Sequence, residues 1–208
     1  MKKLLVALGF TMAAMAAMAA MSAQASTLSL AQSGTVTFTT ATPTCSFCGH
    51  DVIAGATGGV FGTLSIDSDA LFVATFLGSE AADVNFYVAN GSNVMRNKSS
   101  TVGDTFAFEV SAGAINFGFY DQTTNIGAAN MGDNINKIAY ITNDGSYKDA
   151  SGNPFAFLIG FNDSGSTDGD YDDYVVGVNA VPVPAALPLM ASALGLFGLS
   201  RRKSKKAA

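Results

Sequence analysis

From Ser26 onward the chain is built of short runs in which apolar and polar positions alternate. Val36 and Phe38 flank Thr37; Val84, Phe86 and Val88 alternate with Asn85 and Tyr87; Phe106, Phe108 and Val110 alternate with Ala107 and Glu109. Successive strand side chains point to opposite faces, so this period of two predicts antiparallel sheets covered on one side, with those apolar sets turned to the core. Denser runs predict central strands: Val60 to Ile66, Leu71 to Leu77, Ile115 to Tyr120, Ile138 to Ile141, Phe155 to Phe161 and Tyr174 to Val178. Turn formers stand between them at Gly58-Gly59, Asn90-Gly91, Asn143-Asp144-Gly145 and Ser151-Gly152-Asn153-Pro154. No stretch keeps a helical period. The pattern predicts an all-β domain of about nine strands, an antiparallel β-sandwich of jelly-roll-like architecture.

The two ends follow other rules. Lys2 and Lys3 precede an apolar run from Leu4 to Met21, and Ala23-Gln24-Ala25 then places small residues where a signal peptidase reads them. Residues 1–25 are expected to be a signal peptide, cleaved to leave Ser26 first; an uncleaved anchor is the alternative. At the other end, Val181-Pro182-Val183-Pro184-Ala185 leads into an apolar stretch from Ala186 to Leu199, closed by Arg201, Arg202, Lys203, Lys205 and Lys206. That stretch is shorter than the roughly 20 residues of an independent span. The basic cluster favours the cytoplasmic face. Residues 181–208 are therefore expected to hold the exported chain transiently in the membrane through a short transmembrane helix, with residues 26–180 as the domain between the two signals.

This tail resembles the PEP-CTERM family of sorting signals, in the variant with a Val-Pro-Leu-Pro-Ala motif; Val183 stands where the variant has Leu. The resemblance implies processing by an exosortase, a membrane peptidase, at the proline motif. The alternative is a plain C-terminal anchor.

Charge changes the picture of the middle. All 16 acidic residues lie there, against four basic ones (Arg96, Lys98, Lys137 and Lys148), a side-chain balance of −12 that the whole-chain value of −5 conceals. Such a domain repels nucleic acid and anionic membrane, so nucleic-acid binding is excluded, and it favours solubility or divalent cations.

The densest acidic run spans Asp163, Asp168, Asp170, Asp172 and Asp173. Crowded carboxylates repel unless solvated or neutralised, and hard oxygen donors suit Ca²⁺, so these five are the candidate calcium ligands, beside the alternative of a merely solvated loop. It is no EF-hand: Asp168, Asp170 and Asp172 have that spacing, but Asp173 replaces the turn glycine and Asn179 the bidentate Glu. Phe157-Leu-Ile-Gly-Phe161-Asn-Asp163, a Gly/Ser loop and Asp168-Gly-Asp170-Tyr-Asp-Asp173 before an apolar strand are similar to the end of the DUF4114 family, with Asn162 in place of its customary Glu. That likeness implies a surface location and a β-fold rather than an activity.

Cys45 and Cys48, the only cysteines, are expected to close a small disulfide in an exported chain. Zinc would need more ligands than these two and His50 supply unless Asp51 joined, and redox chemistry would want a helix start that Pro43 and Gly49 argue against. His50 is the only histidine and no Gly-x-Ser-x-Gly elbow accompanies it, so an enzyme is not expected. The functional expectation is a non-catalytic exported protein at the cell surface or in the extracellular matrix, structural or adhesive in a biofilm or exopolysaccharide layer. Its partners in export would be signal peptidase and an exosortase. The alternative is a calcium-dependent carbohydrate-binding module, with polysaccharide as partner.

Overall fold

The computed structural model describes residues 26–38, 52, 56–141, 143–163, 169 and 171–182. The expected signal peptide, Cys45, Cys48, His50, Asp168, Asp170 and the tail from Val183 through Lys206 lie outside the described residues. Ser26–Val181 forms one compact unit. It is all-β, with one 3₁₀ turn at Ile135–Lys137 and no α-helix among the described residues.

Twelve strands among the described residues make two sheets. The larger has the order β1 (Leu28–Thr37), β2 (Gly58–Ile66), β10 (Ile138–Ile141), β11 (Phe157–Phe161), β12 (Tyr174–Pro182), β3 (Ala70–Gly78) and β6 (Thr105–Val110), with the two-residue β7 (Gly113–Ala114) against β2. The smaller runs β5 (Ser92–Arg96), β4 (Asn85–Ala89), β8 (Phe117–Asp121) and β9 (Ile126–Ala129). The ladders β1–β2, β10–β11, β11–β12, β3–β6, β4–β5, β4–β8 and β8–β9 are antiparallel.

Five of the six dense apolar runs became inner strands of the larger sheet, and the sixth, Ile115 to Tyr120, became β8, an inner strand of the smaller one. Every residue of β10 is buried, and Tyr174 to Val178 of β12 are buried without interruption. A strand can be apolar on both faces only if both are covered. One face packs on the smaller sheet through Phe72, Tyr87, Phe117, Phe119, Ile159, Phe161 and Tyr174, among others. The other carries a smaller cluster of Ile141, Phe155, Leu158 and Val175. Gly160 shows how tightly this second layer sits: a Cβ there would come 2.1 Å from the Tyr171 carbonyl oxygen, so no other residue fits without backbone movement.

The Asn90-Gly91 pair forms a two-residue hairpin between β4 and β5, with φ of 49° and 75°. Both values lie in the left-handed region that such a turn requires, and Asn and Gly reach it at least cost.

Strand β4 reverses one expectation. Its alternation is real, but Asn85, Tyr87 and Ala89 are the buried set, while Phe86 and Val88 are half-buried on the outer face. Tyr87 brings a large ring into the core, against Phe117 at 5.9 Å and Phe119 at 5.5 Å, and Asn85 is held there by polar partners. The apolar count of a strand does not determine its face when the alternate set includes a large aromatic. The short β5, β7 and β9 were not expected; they are polar or built of Gly and Ala and carry little periodic signal.

Core packing also uses one buried amide as a piece of ladder. β10 meets β2 where Tyr140 lies opposite Val60. Further along β2, Asn130 replaces a neighbouring strand: its Oδ1 accepts from Leu64 N at 2.7 Å and from the Tyr140 hydroxyl at 2.6 Å, and its Nδ2 donates to the carbonyls of Leu64 and Ile115, each at 2.8 Å. Asn130 is wholly buried and all its hydrogen-bonding positions are used.

Candidate metal centre

Three strand ends carry an acidic residue onto the core face by strict alternation. Asp121 closes β8 two residues after Phe119; Asp163 follows β11 two residues after Phe161; Asp83 precedes β4 by two residues, in phase with Asn85 and Tyr87. The rings of Phe119 and Phe161 stack at 5.2 Å with planes 6° apart, and this stack draws the ends of β8 and β11 together. Such aromatic pairs contribute about 0.5–1.5 kcal/mol beyond their area burial. The result is a carboxylate oxygen from each of Asp83, Asp121 and Asp163, all within 4.8 Å of one another. Asp121 is 0 % and Asp163 4 % exposed; Asp83 is half-buried.

Neighbouring groups hold the carboxylates in place. Asp121 accepts hydrogen bonds from Thr123 N at 2.7 Å, from Thr124 N at 3.2 Å and from the Thr124 hydroxyl. Asn85, directly across the β4–β8 ladder from Asp121, donates from Nδ2 to Asp163 Oδ2 at 2.7 Å and to the Asp173 carbonyl at 3.4 Å. Asn97 donates to the Asp83 carbonyl at 2.9 Å and accepts from Asn85 N at 3.0 Å. Lys137 Nζ donates to the main-chain carbonyls of Asn162 and Asp163, each at 3.3 Å.

Burial pushes the Asp163 carboxyl above its ordinary range. Hydrogen bonds from Asn85 and between Asp163 and Asp173 oppose that, and the charges of Asp121 and Asp83 add to it. A carboxylate taken from water beside two others is costly unless a cation or proton neutralises it.

Of the five expected ligands, the structure places Asp163, Asp172 and Asp173 among the described residues. Asp163 belongs to the cluster. Asp173 supports it from behind, its Oδ2 accepting from Asp163 N at 2.8 Å. Asp172 is turned elsewhere, its Oδ2 accepting from Val52 N at 3.3 Å. Asp168 and Asp170 lie outside the described residues. Asp83, Asp121 and Asn85 were missed because they come from distant parts of the chain. A signal for two of them was present: Phe119-Tyr-Asp121 and Phe161-Asn-Asp163 repeat an aromatic and a carboxylate at period two.

A second concavity lies on the outer face of the smaller sheet. It is a trough of about 500 Å³ whose floor includes Gly118, Gly127 and Ala129, with Val88 and Tyr120 among its walls and Asn93, Asn116 and Asp133 at its polar margin. The Tyr120 hydroxyl donates to Asn125 Oδ1 at 2.8 Å. At the end of the last strand, Val181 is half exposed and Pro182 completes β12; these are the first two residues of the proline motif. Among the described residues no helix is long and apolar enough to cross a membrane.

No family model matches the chain, and neither a curated protein nor a solved structure is significantly similar to it.

Proposed function

We propose that this is a non-catalytic exported protein of the cell surface or extracellular matrix, a structural or adhesive component of a biofilm or exopolysaccharide layer. Its β-sandwich, jelly-roll-like in this reading, is the mature part. One observation carries the proposal: the compact unit, Ser26–Val181, runs from the residue after the signal-like residues 1–25 to the first residue of the proline motif. A fold that begins where a signal peptidase would cut and ends where an exosortase would cut has the form of a sorted cargo. Its acidic surface suits a solvated extracellular setting.

Mass spectrometry of the extracellular form tests this. It should find Ser26 at the start and a C-terminus within residues 181–185. Peptides reaching Arg201 in protein outside the cell would overturn it.

The trough on the smaller sheet favours a second reading, a calcium-dependent carbohydrate-binding module. An aromatic wall beside a small-residue floor with amides at its margin is the chemistry that receives a sugar ring. Binding on a glycan array that is lost in Tyr120→Ala would select this reading over a purely structural role.

A further inference from the structure

We infer that Asp83, Asp121 and Asp163, with the side-chain oxygen of Asn85, form a Ca²⁺ site that fastens the smaller sheet to the larger. The ligands come from both sheets: Asp83, Asn85 and Asp121 from the β4–β8 pair, Asp163 from the end of β11. The site therefore differs from the acidic run at residues 168–173 in both its residues and its consequence.

Two independent observations converge. The first is the spacing. Two oxygens bound to Ca²⁺ at about 2.4 Å lie at most about 4.8 Å apart, and the three carboxylates meet that limit. The second is Asn85. Its residue is 0 % exposed, and its Oδ1 is a buried atom with no hydrogen-bond partner. Its Nδ2, on the same planar group, touches Asp163 at 2.7 Å, so the amide stands against the cluster. A buried acceptor left unmade costs about 1–3 kcal/mol by itself, and a cation among the carboxylates would give that oxygen a partner.

The donor chemistry selects the metal. Every candidate ligand atom is oxygen, which suits Ca²⁺ or Mg²⁺ rather than zinc or copper. Mg²⁺ requires near-octahedral bonds of about 2.1 Å and keeps its waters, whereas Ca²⁺ accepts six to eight oxygens in irregular arrangements. Three carboxylates, one amide oxygen and water complete such a shell. The preference for Ca²⁺ also rests on the export reading, since extracellular sites meet calcium near millimolar; the ligand set does not.

The test uses the full-length chain, stripped with chelator and then given CaCl₂ or MgCl₂ alone. Equilibrium dialysis should find calcium bound. The melting temperature should rise by roughly 5–10 °C at calcium a hundredfold above Kd. Asp121→Asn combined with Asp163→Asn should abolish both effects. Asp83→Asn, at a half-buried position that tolerates change, should weaken binding at least about tenfold, and Asn85→Ala should weaken it without removing a charge. Asp168→Asn combined with Asp170→Asn should leave both effects in place. Absence of bound calcium, an unchanged response in Asp83→Asn, or loss of response in the 168/170 variant alone would overturn the assignment. An equal response to magnesium would overturn the choice of cation. None of these results bears on where the chain is cleaved, so the site and the export reading stand or fall separately.

Discussion

Asn130 and Asn85 are both wholly buried amides that join one sheet to the other, and they do so in opposite ways. Asn130 follows β9 and meets β2 and Ile115 with both ends of its amide occupied by neutral partners. Asn85 meets a carboxylate with its nitrogen and nothing with its oxygen. One junction is complete with protein atoms alone. The other is a polar corner in which three carboxylates meet and a buried amide oxygen has no hydrogen-bond partner. The difference separates two uses of buried polarity: a closed network specifies a packing, whereas an incomplete one marks a place for a ligand.

Truncating each amide is the strongest way to break the comparison. Asn130→Ala strands the main-chain N–H of Leu64 and takes an acceptor from the Tyr140 hydroxyl, while the Leu64 and Ile115 carbonyls keep the main-chain N–H of Ile115 and Phe117, so it should cost about 3 kcal/mol. The cost should be the same with calcium or chelator. Asn85→Ala should cost only about 1–2 kcal/mol in chelator and visibly more in calcium. Urea denaturation of both variants under both conditions measures this; equal costs for the two would erase the distinction.

High pH probes the core that lies between the two amides. Tyr87, Tyr140 and Tyr174 are each pushed above the ordinary tyrosine value, chiefly by burial. In the unfolded chain they ionise near pH 10. The folded state binds more protons than the unfolded one above that pH, so the sign is a loss of stability as pH rises. Stability should be unaffected by these groups below about pH 10, then fall by about 1.4 kcal/mol per tyrosine for each further pH unit. Tyrosinate absorbance should appear together with loss of the β-sheet circular dichroism signal. Full ionisation in a still folded protein would contradict the burial of these hydroxyls.

The smallest effect sharpens the account of Asn130. Tyr140→Phe removes one of two donors to its Oδ1 and leaves Leu64 N in place, so it should cost about 1 kcal/mol. A cost as large as that of Asn130→Ala would mean that the hydroxyl, and not the amide, organises this junction.

How much of this was readable in the chain depends on the range of the interactions. The alternation of β6 and the dense β10, β11 and β12 were legible because their environment imprints a local pattern. The hairpin at Asn90-Gly91 was legible because two left-handed residues in succession need that chemistry. The facing of β4 was not, since Tyr87 counts as apolar or polar depending on what surrounds its hydroxyl. The carboxylate cluster was hidden for a different reason. Asp163, Asp168, Asp170, Asp172 and Asp173 draw attention because they are close along the chain, but Asp83 and Asp121 are brought to Asp163 by strand pairing and by the Phe119–Phe161 stack. Nearness in sequence is a poor guide to a site assembled by the ends of a sheet.

The position of β12 has a consequence for the order in which the molecule can be built. Residues 174–182 are the last described stretch of the chain, yet they sit between β11 and β3, and β3 and β6 join the larger sheet only through them. During synthesis everything before residue 174 can be made while the sheet still lacks its middle. Closure waits for the final strand, and its hydrogen bonds reach across long loops whose ordering must come first. A ribosome that still grips this segment therefore holds back the closing of the larger sheet. Among the described strands, the last one made sets the time at which the larger sheet can close.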